Sequence, residues 1–245
     1  MKLVALIPAR WASSRFPGKP LALINGRPMI EHVHRRALAI PEVDEVHIAT
    51  DSPKIREAVL DFGGRVVLTR PEHLSGSDRL AEASDILGLA DEDIVLNIQG
   101  DQPAFDPDQP ALLARALRED PGLEIATLAI ALTNARDIHN PDHVKVAFGE
   151  NGFALYFSRA PIPWPRDGEG EYYRHIGIYA YRAAFLRRFV TLPEGRLERF
   201  ERLEQLRALE NRARIKVIVV SGLSPEVDTP ADLAAAEEAL RRESH

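Results

Sequence analysis

Directly after an apolar run at the N-terminus the chain reads IPARWASSRFPGKPL, Ile7 to Leu21, a loop holding Arg10, Arg15 and Lys19 and stiffened by Pro8, Pro17 and Pro20. Three cations and the N–H groups of a Gly-Lys turn make a cradle for a triphosphate. The loop is neither of the common glycine-rich phosphate motifs. GxGxxG is absent, which disfavours a dinucleotide fold, and Gly18-Lys19 runs into Pro20 instead of Ser or Thr. The plain alternative is a solvated basic loop, against which the grouping of three cations behind a first strand weighs.

Carboxylates stand in two distant places. IVLNIQ, Ile94 to Gln99, reads as a strand that runs into Gly100-Asp101, where an acidic side chain can hold a hard cation against phosphates. Far downstream, EVDTPADL sets Asp228 just before Thr229-Pro230, a helix start with Asp232 at its third position. Two carboxylates facing a basic loop match metal-assisted transfer of a nucleotidyl group, with magnesium as the natural ion. Each also has a structural reading: Asp101 as a turn former, Asp228 as a residue that favours the helix dipole.

The elements that must position these groups follow from the apolar pattern. Leu3 to Ile7, Glu45 to Thr50, Arg65 to Thr69 and Asp93 to Ile98 read as buried strands. Between them Pro28 to Ala39, Pro53 to Asp61 and Asp78 to Leu87 read as helices, the alternation of an α/β fold with a mainly parallel sheet covered on both faces. Ser52 caps the second helix, Ser77 is placed to cap the third, and Asn25-Gly26 marks a tight turn. Past residue 120 the rhythm changes. Glu124 to Leu132, His143 to Phe148, Phe153 to Phe157 and His175 to Tyr181 read as strands with few helices between them, a smaller antiparallel section. A helix over Leu197 to Leu209, a strand at Ile215 to Val220 and a helix over Pro230 to Arg242 complete the reading, with Pro165 to Glu171 as the softest loop.

Composition sets outer bounds. The 245 residues suffice for one large domain, and 45% hydrophobic with 28% charged residues is ordinary globular usage. A balance of 31 basic against 37 acidic residues, −6 overall, lacks the basic field of a nucleic-acid binder. With no cysteine, thiolate chemistry, disulfides and Cys-ligated zinc are excluded, and a reducing cytoplasmic setting fits. Arg10 cuts the N-terminal apolar run short of the roughly 7 to 15 residues of a secretory core. No stretch reaches the roughly 18 apolar residues of a membrane helix, so no membrane insertion is expected.

Seven segments in order resemble one family: ARWASSRFPGKPL, LSGSDRLAEA, NIQGDQP, ALYFSRAPIPW, RHIGIYAYR, LERFERLEQLRALEN and VDTPADL. Spanning nearly the whole chain, they are similar to the 3-deoxy-manno-octulosonate (Kdo) cytidylyltransferases, the CMP-Kdo synthetases. The resemblance implies one Rossmann-like nucleotidyltransferase domain over residues 1–245, with about 133–212 as an insertion for sugar binding and dimerisation. It implies a homodimer that uses CTP, Kdo and Mg2+ to make CMP-Kdo and pyrophosphate for lipopolysaccharide assembly. By the family pattern Ala9, Arg10, Arg15, Lys19, Ser75 and Arg79 seat the nucleotide, and Asp101 and Asp228 hold magnesium. Arg10, Lys19, Asp101 and Asp228 carry the catalysis, and Gln99, Arg159, His175, Tyr179, Glu204 and Gln205 meet the sugar.

Chemistry suits these assignments: a guanidinium such as Arg159 fits a carboxylate, and mixed donors and acceptors fit hydroxyls. The bland readings are a polar strand face for His175 and Tyr179, a wet helix face for Glu204 and Gln205, and a surface ion pair for Arg159. The chain departs from the family with Trp11 for the common Tyr, Ser77 for Thr and Gln102 for Glu, and with a short loop at 166–173. Gln102 removes a negative charge expected beside Asp101. A cytidylyltransferase for 8-amino-Kdo or sialic acid, and a non-catalytic nucleotide-binding regulator on the same fold, remain as alternatives.

Overall fold

The computed structural model describes residues 1–12, 16–73, 75–168, 170–222 and 224–242. Its first half contains β1 (Leu3–Ala9), β2 (Leu23–Ile24), β3 (Arg27–Pro28), α1 (Met29–Leu38), β4 (Glu45–Thr50), α2 (Pro53–Asp61), β5 (Val66–Leu68), α3 (Gly76–Ile86), β6 (Ile94–Asn97) and α4 (Asp108–Glu119). The second half adds β7 (Ile125–Leu132), α5 (Ala135–His139), β8 (Lys145–Phe148), β9 (Ala154–Ser158), β10 (Tyr172–Arg182), α6 (Ala183–Thr191), α7 (Arg196–Glu201), α8 (Gln205–Glu210), β11 (Ile215–Val219) and α9 (Leu233–Arg242).

One sheet runs through the molecule in the order β11-β7-β10-β6-β1-β4-β5, with the β8–β9 hairpin attached to β10. Pairings β1–β4, β1–β6, β4–β5 and β7–β11 are parallel, while β10 is antiparallel to both β6 and β7. A single reversed strand therefore joins two parallel halves. β10 pairs with β6 only over Tyr179–Arg182; its earlier residues leave β6 behind and meet β8 through Arg174 and Lys145. The sheet thus parts at the carboxyl end of β6, the kind of crevice in which α/β proteins bind ligands.

Side-chain alternation along β1 divides the core. Leu3, Ala5 and Ile7 pack with α1, α2 and α4 on one face, and Val4 and Leu6 pack with α3 and α6 on the other. Coverage on both faces is why these strands are apolar at nearly every position. Trimming a residue such as Leu96, fully buried at the centre of β6, would cost about 2–5 kcal/mol. A third small cluster, Ile24, Met29, Val227 and Ala236, fastens α9 and the segment before it to the β2–β3 hairpin.

Several sequence expectations need correction. The N-cap of α3 is Ser75, which exchanges hydrogen bonds with Asp78; Ser77 lies inside the helix and bonds elsewhere. The helix expected over Leu197 to Leu209 is two helices, because Arg202 takes a left-handed conformation (φ 55°) that turns Leu203 into the core. The last helix opens with a 3-10 turn, Pro230–Asp232. Helices α4 and α6 were not anticipated, since amphipathic segments without a clear cap signal read weakly. No helix among the described residues is long and apolar enough to cross a membrane.

Candidate active site

The loop after β1 folds back on itself before it reaches Lys19. Gly18 is left-handed (φ 74°), its N–H donates to the Trp11 carbonyl at 3.1 Å, and a Cβ there would meet the Trp11 ring at 3.2 Å. Only glycine suits that turn. The next N–H, of Lys19, donates to the Phe16 carbonyl at 3.1 Å, so the lysine is anchored at its backbone. Its Nζ stands 2.9 Å from Asp101 Oδ2 and 3.5 Å from Asp228 Oδ1. Groups far apart in the chain therefore meet around one ammonium. Arg15 lies outside the described residues.

Asp101 is aimed by what precedes it. A Cβ at Gly100 would come 3.1 Å from the Pro8 carbonyl, so glycine lets the exit of β6 pass close to the end of β1. Asp228 belongs to a segment without regular structure, tied down at both ends. The Val227 N–H donates to the Asp101 carbonyl at 2.9 Å, and Val227 itself is fully buried. On the other side the Asp232 carboxylate accepts from the N–H groups of Asp228 (3.0 Å) and Thr229 (2.7 Å) and from the Thr229 hydroxyl (2.9 Å). Those bonds, the Thr229 N–H foremost, hold the Asp232 carboxyl below its usual range.

The donor set suits magnesium. Two carboxylates from separate elements, 31% and 41% exposed, present hard oxygens and leave room for phosphate and water ligands. Among the described residues no cluster of three or more His, Asp or Glu forms a closed metal cage. An ion shared between protein and nucleotide is the arrangement that such a pair serves.

Beside this mouth, where the sheet parts, lies a cavity of about 280 Å³ lined by Gln99, His175, Tyr179, Glu204 and Gln205 together with Pro8, Ser77 and Asn97. Five of the six residues assigned to the sugar by resemblance thus come together from β6, β10 and the α7–α8 break. A register shift between Ile176 and Tyr179 interrupts the β10–β7 ladder here, and Gln99 Nε2 donates to the Gly177 carbonyl at 2.8 Å. Arg159 is not in the lining. Its Nε donates to the Glu201 carbonyl at 2.8 Å and its Nη1 to the Pro141 carbonyl at 3.0 Å.

Electrostatics keep the cavity largely uncharged. Burial, helped by Arg174, pushes the His175 pKa down to about 3, so the ring is neutral. Thr127 Oγ1 lies 3.0 Å from His175 Nε2 and directs its own proton to the Ile178 carbonyl at 2.9 Å. The ring proton is accordingly assigned to Nε2, which leaves Nδ1 as an acceptor. Burial raises Tyr179 and Tyr181, which remain phenols. Glu204 is pushed up by burial and partly relieved by serine hydroxyls, with Ser77 Oγ donating to its Oε2 at 2.9 Å.

The residues assigned to the nucleotide are more scattered. Ala9 is buried with its side chain in the core, so only its backbone can meet a ligand. Ser75 caps α3. Arg79 is 1% exposed and points to the Thr69 hydroxyl and to Asp51 Oδ1, at 3.2 Å from the latter. Burial lowers its pKa, Asp51 opposes that, and the nearby Arg10 lowers it further.

Sequence reasoning missed three partners. Asn97 and Thr127 sit on strands where they pass for ordinary polar positions. Glu226 accepts from Gln102 Nε2 at 3.0 Å and from Arg174 Nη2 at 3.2 Å. The carboxyl group expected to be lost with Gln102 is thus supplied beside Asp101 by Glu226, whose pKa burial raises and Arg174 partly restores. Its place two residues before Asp228 was the available signal.

A mainly parallel sheet, a cationic loop after its first strand and a carboxylate pair at the carboxyl ends define a nucleotidyltransferase. The chain belongs to the cytidylyltransferase family, whose profile matches residues 4–215. It is 52% identical to the 3-deoxy-manno-octulosonate cytidylyltransferase of Syntrophus aciditrophicus (strain SB), over 98% of this chain and 97% of that protein. It is 49% identical to the 8-amino-3,8-dideoxy-manno-octulosonate cytidylyltransferase of Shewanella amazonensis (strain ATCC BAA-1098 / SB2B), over 98% and 99%. Among solved structures, a CMP:2-keto-3-deoxy-manno-octonic acid synthetase complexed with CTP superposes with a TM-score of 0.95 at 44% identity, covering 99% of this chain and all of that one. A putative glucose-1-phosphate thymidylyltransferase from Bacillus anthracis, 18% identical with a TM-score of 0.68, shares the fold.

Proposed function

We propose that this enzyme transfers CMP from CTP to the anomeric hydroxyl of Kdo, giving CMP-Kdo and pyrophosphate. The observation that carries the proposal is the meeting of Lys19, Asp101 and Asp228 at the rim of a cavity whose polar lining suits a polyhydroxylated sugar. Relatives named for Kdo and its 8-amino analogue, and a structural neighbour complexed with CTP, support it.

The anomeric hydroxyl oxygen attacks the α-phosphorus in line and gives up its proton to water, the bond to the β-phosphate breaks, and pyrophosphate leaves with the electron pair. Asp101 and Asp228 would hold Mg2+, which when bound supplies charge neutralisation and a lowered hydroxyl pKa. Lys19 would turn from the carboxylates to the phosphates and meet the charge that develops on the leaving group. Arg10, Arg15, Ser75, Arg79 and the Ala9 backbone are assigned to seating CTP, with Arg79 acting from its buried position. In the cavity, His175 Nδ1 and Glu204 accept from hydroxyls, and Gln99, Tyr179 and Gln205 complete the set. Arg159, at the edge of this region, is assigned to the sugar carboxylate, a role that requires it to exchange its carbonyl partners for substrate.

The product belongs to lipopolysaccharide assembly in the cytoplasm, where CTP is available. A homodimer is proposed on Trp164, Phe200 and Leu155, the most exposed large apolar side chains among the described residues, all within 133–212; light scattering on the purified enzyme reads its mass. For the reaction, the enzyme is supplied with CTP, Mg2+ and, separately, Kdo, 8-amino-Kdo and sialic acid, and pyrophosphate and CMP-sugar are measured. Fastest turnover with Kdo is expected. A preference for either other sugar overturns the substrate, and silence with all three leaves the non-catalytic regulator.

A further inference from the structure

Glu226 has no part in the chemistry just described, yet it sits where the two carboxylate-bearing segments join. Its Oε1 accepts from Gln102, the neighbour of Asp101, at 3.0 Å, and its Oε2 accepts from Arg174 on β10 at 3.2 Å. One residue on, the Val227 N–H is bound to the Asp101 carbonyl. Gln102 is 4% exposed and Arg174 is held in the same recess, which also contains Asp101 and Asp142. The stretch from 224 to 229 lies outside any helix or strand, so these side-chain bonds stand in for the ladder that a strand would have.

We infer that Glu226 is a positioning residue: its bonds to Gln102 and Arg174 clamp the segment of Asp228 against the end of β6 and set the gap between Asp101 and Asp228. The consequence for metal binding rests on the reading that these two aspartates hold the ion. Gln102 is the amide partner that this clamp requires. A glutamate there would put two carboxylates face to face, whereas glutamate at 102 with glutamine at 226 would make the same bond in reverse, the new amide donating to residue 102 and accepting from Arg174.

That reciprocity separates position from charge. If Glu226 acted only through its field, Gln102→Glu would add a negative charge beside Asp101 and tighten the binding of a divalent ion. If it acts by clamping, the same substitution forces the segment away and weakens binding, by about 10-fold for a supporting residue of this kind. Mn2+ binding to the enzyme with CTP and no sugar is read by electron paramagnetic resonance for wild type, Gln102→Glu, Glu226→Gln and the double variant Gln102→Glu/Glu226→Gln, with Asp228→Asn as control. Both singles are expected to weaken Mn2+ binding and the double to return it to within about twofold of wild type. Unchanged or tighter binding in Gln102→Glu, or a double variant as weak as the singles, overturns the clamp. Should Gln102→Glu alone not fold, the double variant still decides. If instead the wild type binds Mn2+ no better than Asp228→Asn, it is the assignment of the metal ligands that fails.

Discussion

The two halves of the site are built on opposite electrostatic plans. At the mouth, Lys19 pairs with the partly exposed Asp101 and Asp228 at 2.9 and 3.5 Å. In the cavity, His175 is held neutral, Tyr179 stays protonated and Glu204 is raised toward its neutral form. On the proposed function the mouth would handle groups whose charge changes during reaction, and its Lys19–carboxylate pairs would then have to exchange partners. The cavity, on the same reading, would face the sugar's spectator hydroxyls, where fixed dipoles give orientation without repulsion.

Substitutions can break that contrast, and the largest effect is expected at the mouth. Lys19→Ala should lower kcat by about 100-fold with the fold intact, as the loss of a donor to developing charge does. The same variant should bind Mn2+ more tightly than wild type when CTP is absent, because the carboxylates lose their resident cation. Near-normal turnover would return Lys19 to the solvated loop.

A smaller effect is expected in the cavity. Ser77→Ala removes the donor to Glu204, and a bond to a charged group of this kind corresponds to about 10-fold in kcat/KM for the sugar. Because the serine lowers the Glu204 pKa, its removal raises it, so the acid limb of kcat/KM should move to higher pH. An unmoved limb would detach Glu204 from sugar recognition.

A third effect is on stability alone. With a folded pKa of about 3 against an ordinary 6.5, His175 refuses a proton that the unfolded chain accepts between those values. Its contribution is therefore whole above pH 6.5 and is lost as the pH falls. Between pH 6.5 and 5 the loss amounts to about 2 kcal/mol. Replacing it with Gln should flatten the dependence of Tm on pH over that range; an unchanged slope would show that other groups set it.

Legibility followed the same divide. Strands β1, β4 and β6, the Ser52 cap and the Asp101 and Asp228 positions stood out because each is announced by neighbours a few residues away. The cavity residues were named only through family resemblance, since His175 on a strand and Glu204 on a helix look like any polar face. The break at Arg202 was illegible because a left-handed non-glycine residue is stabilised by what surrounds it, here the burial of Leu203.

Local order was thus written in the chain: apolar alternation made the parallel strands, glycine allowed the turn before Lys19 and the close passage before Asp101, and proline with threonine opened the last helical turn. Only the folded molecule decided that β10 runs backwards between β6 and β7, that Arg79 is buried beside Asp51, and that Glu226 supplies the carboxylate beside Gln102. Dihedral preference and side-chain period act over a few residues, whereas these outcomes depend on which surfaces the packed sheet brings face to face.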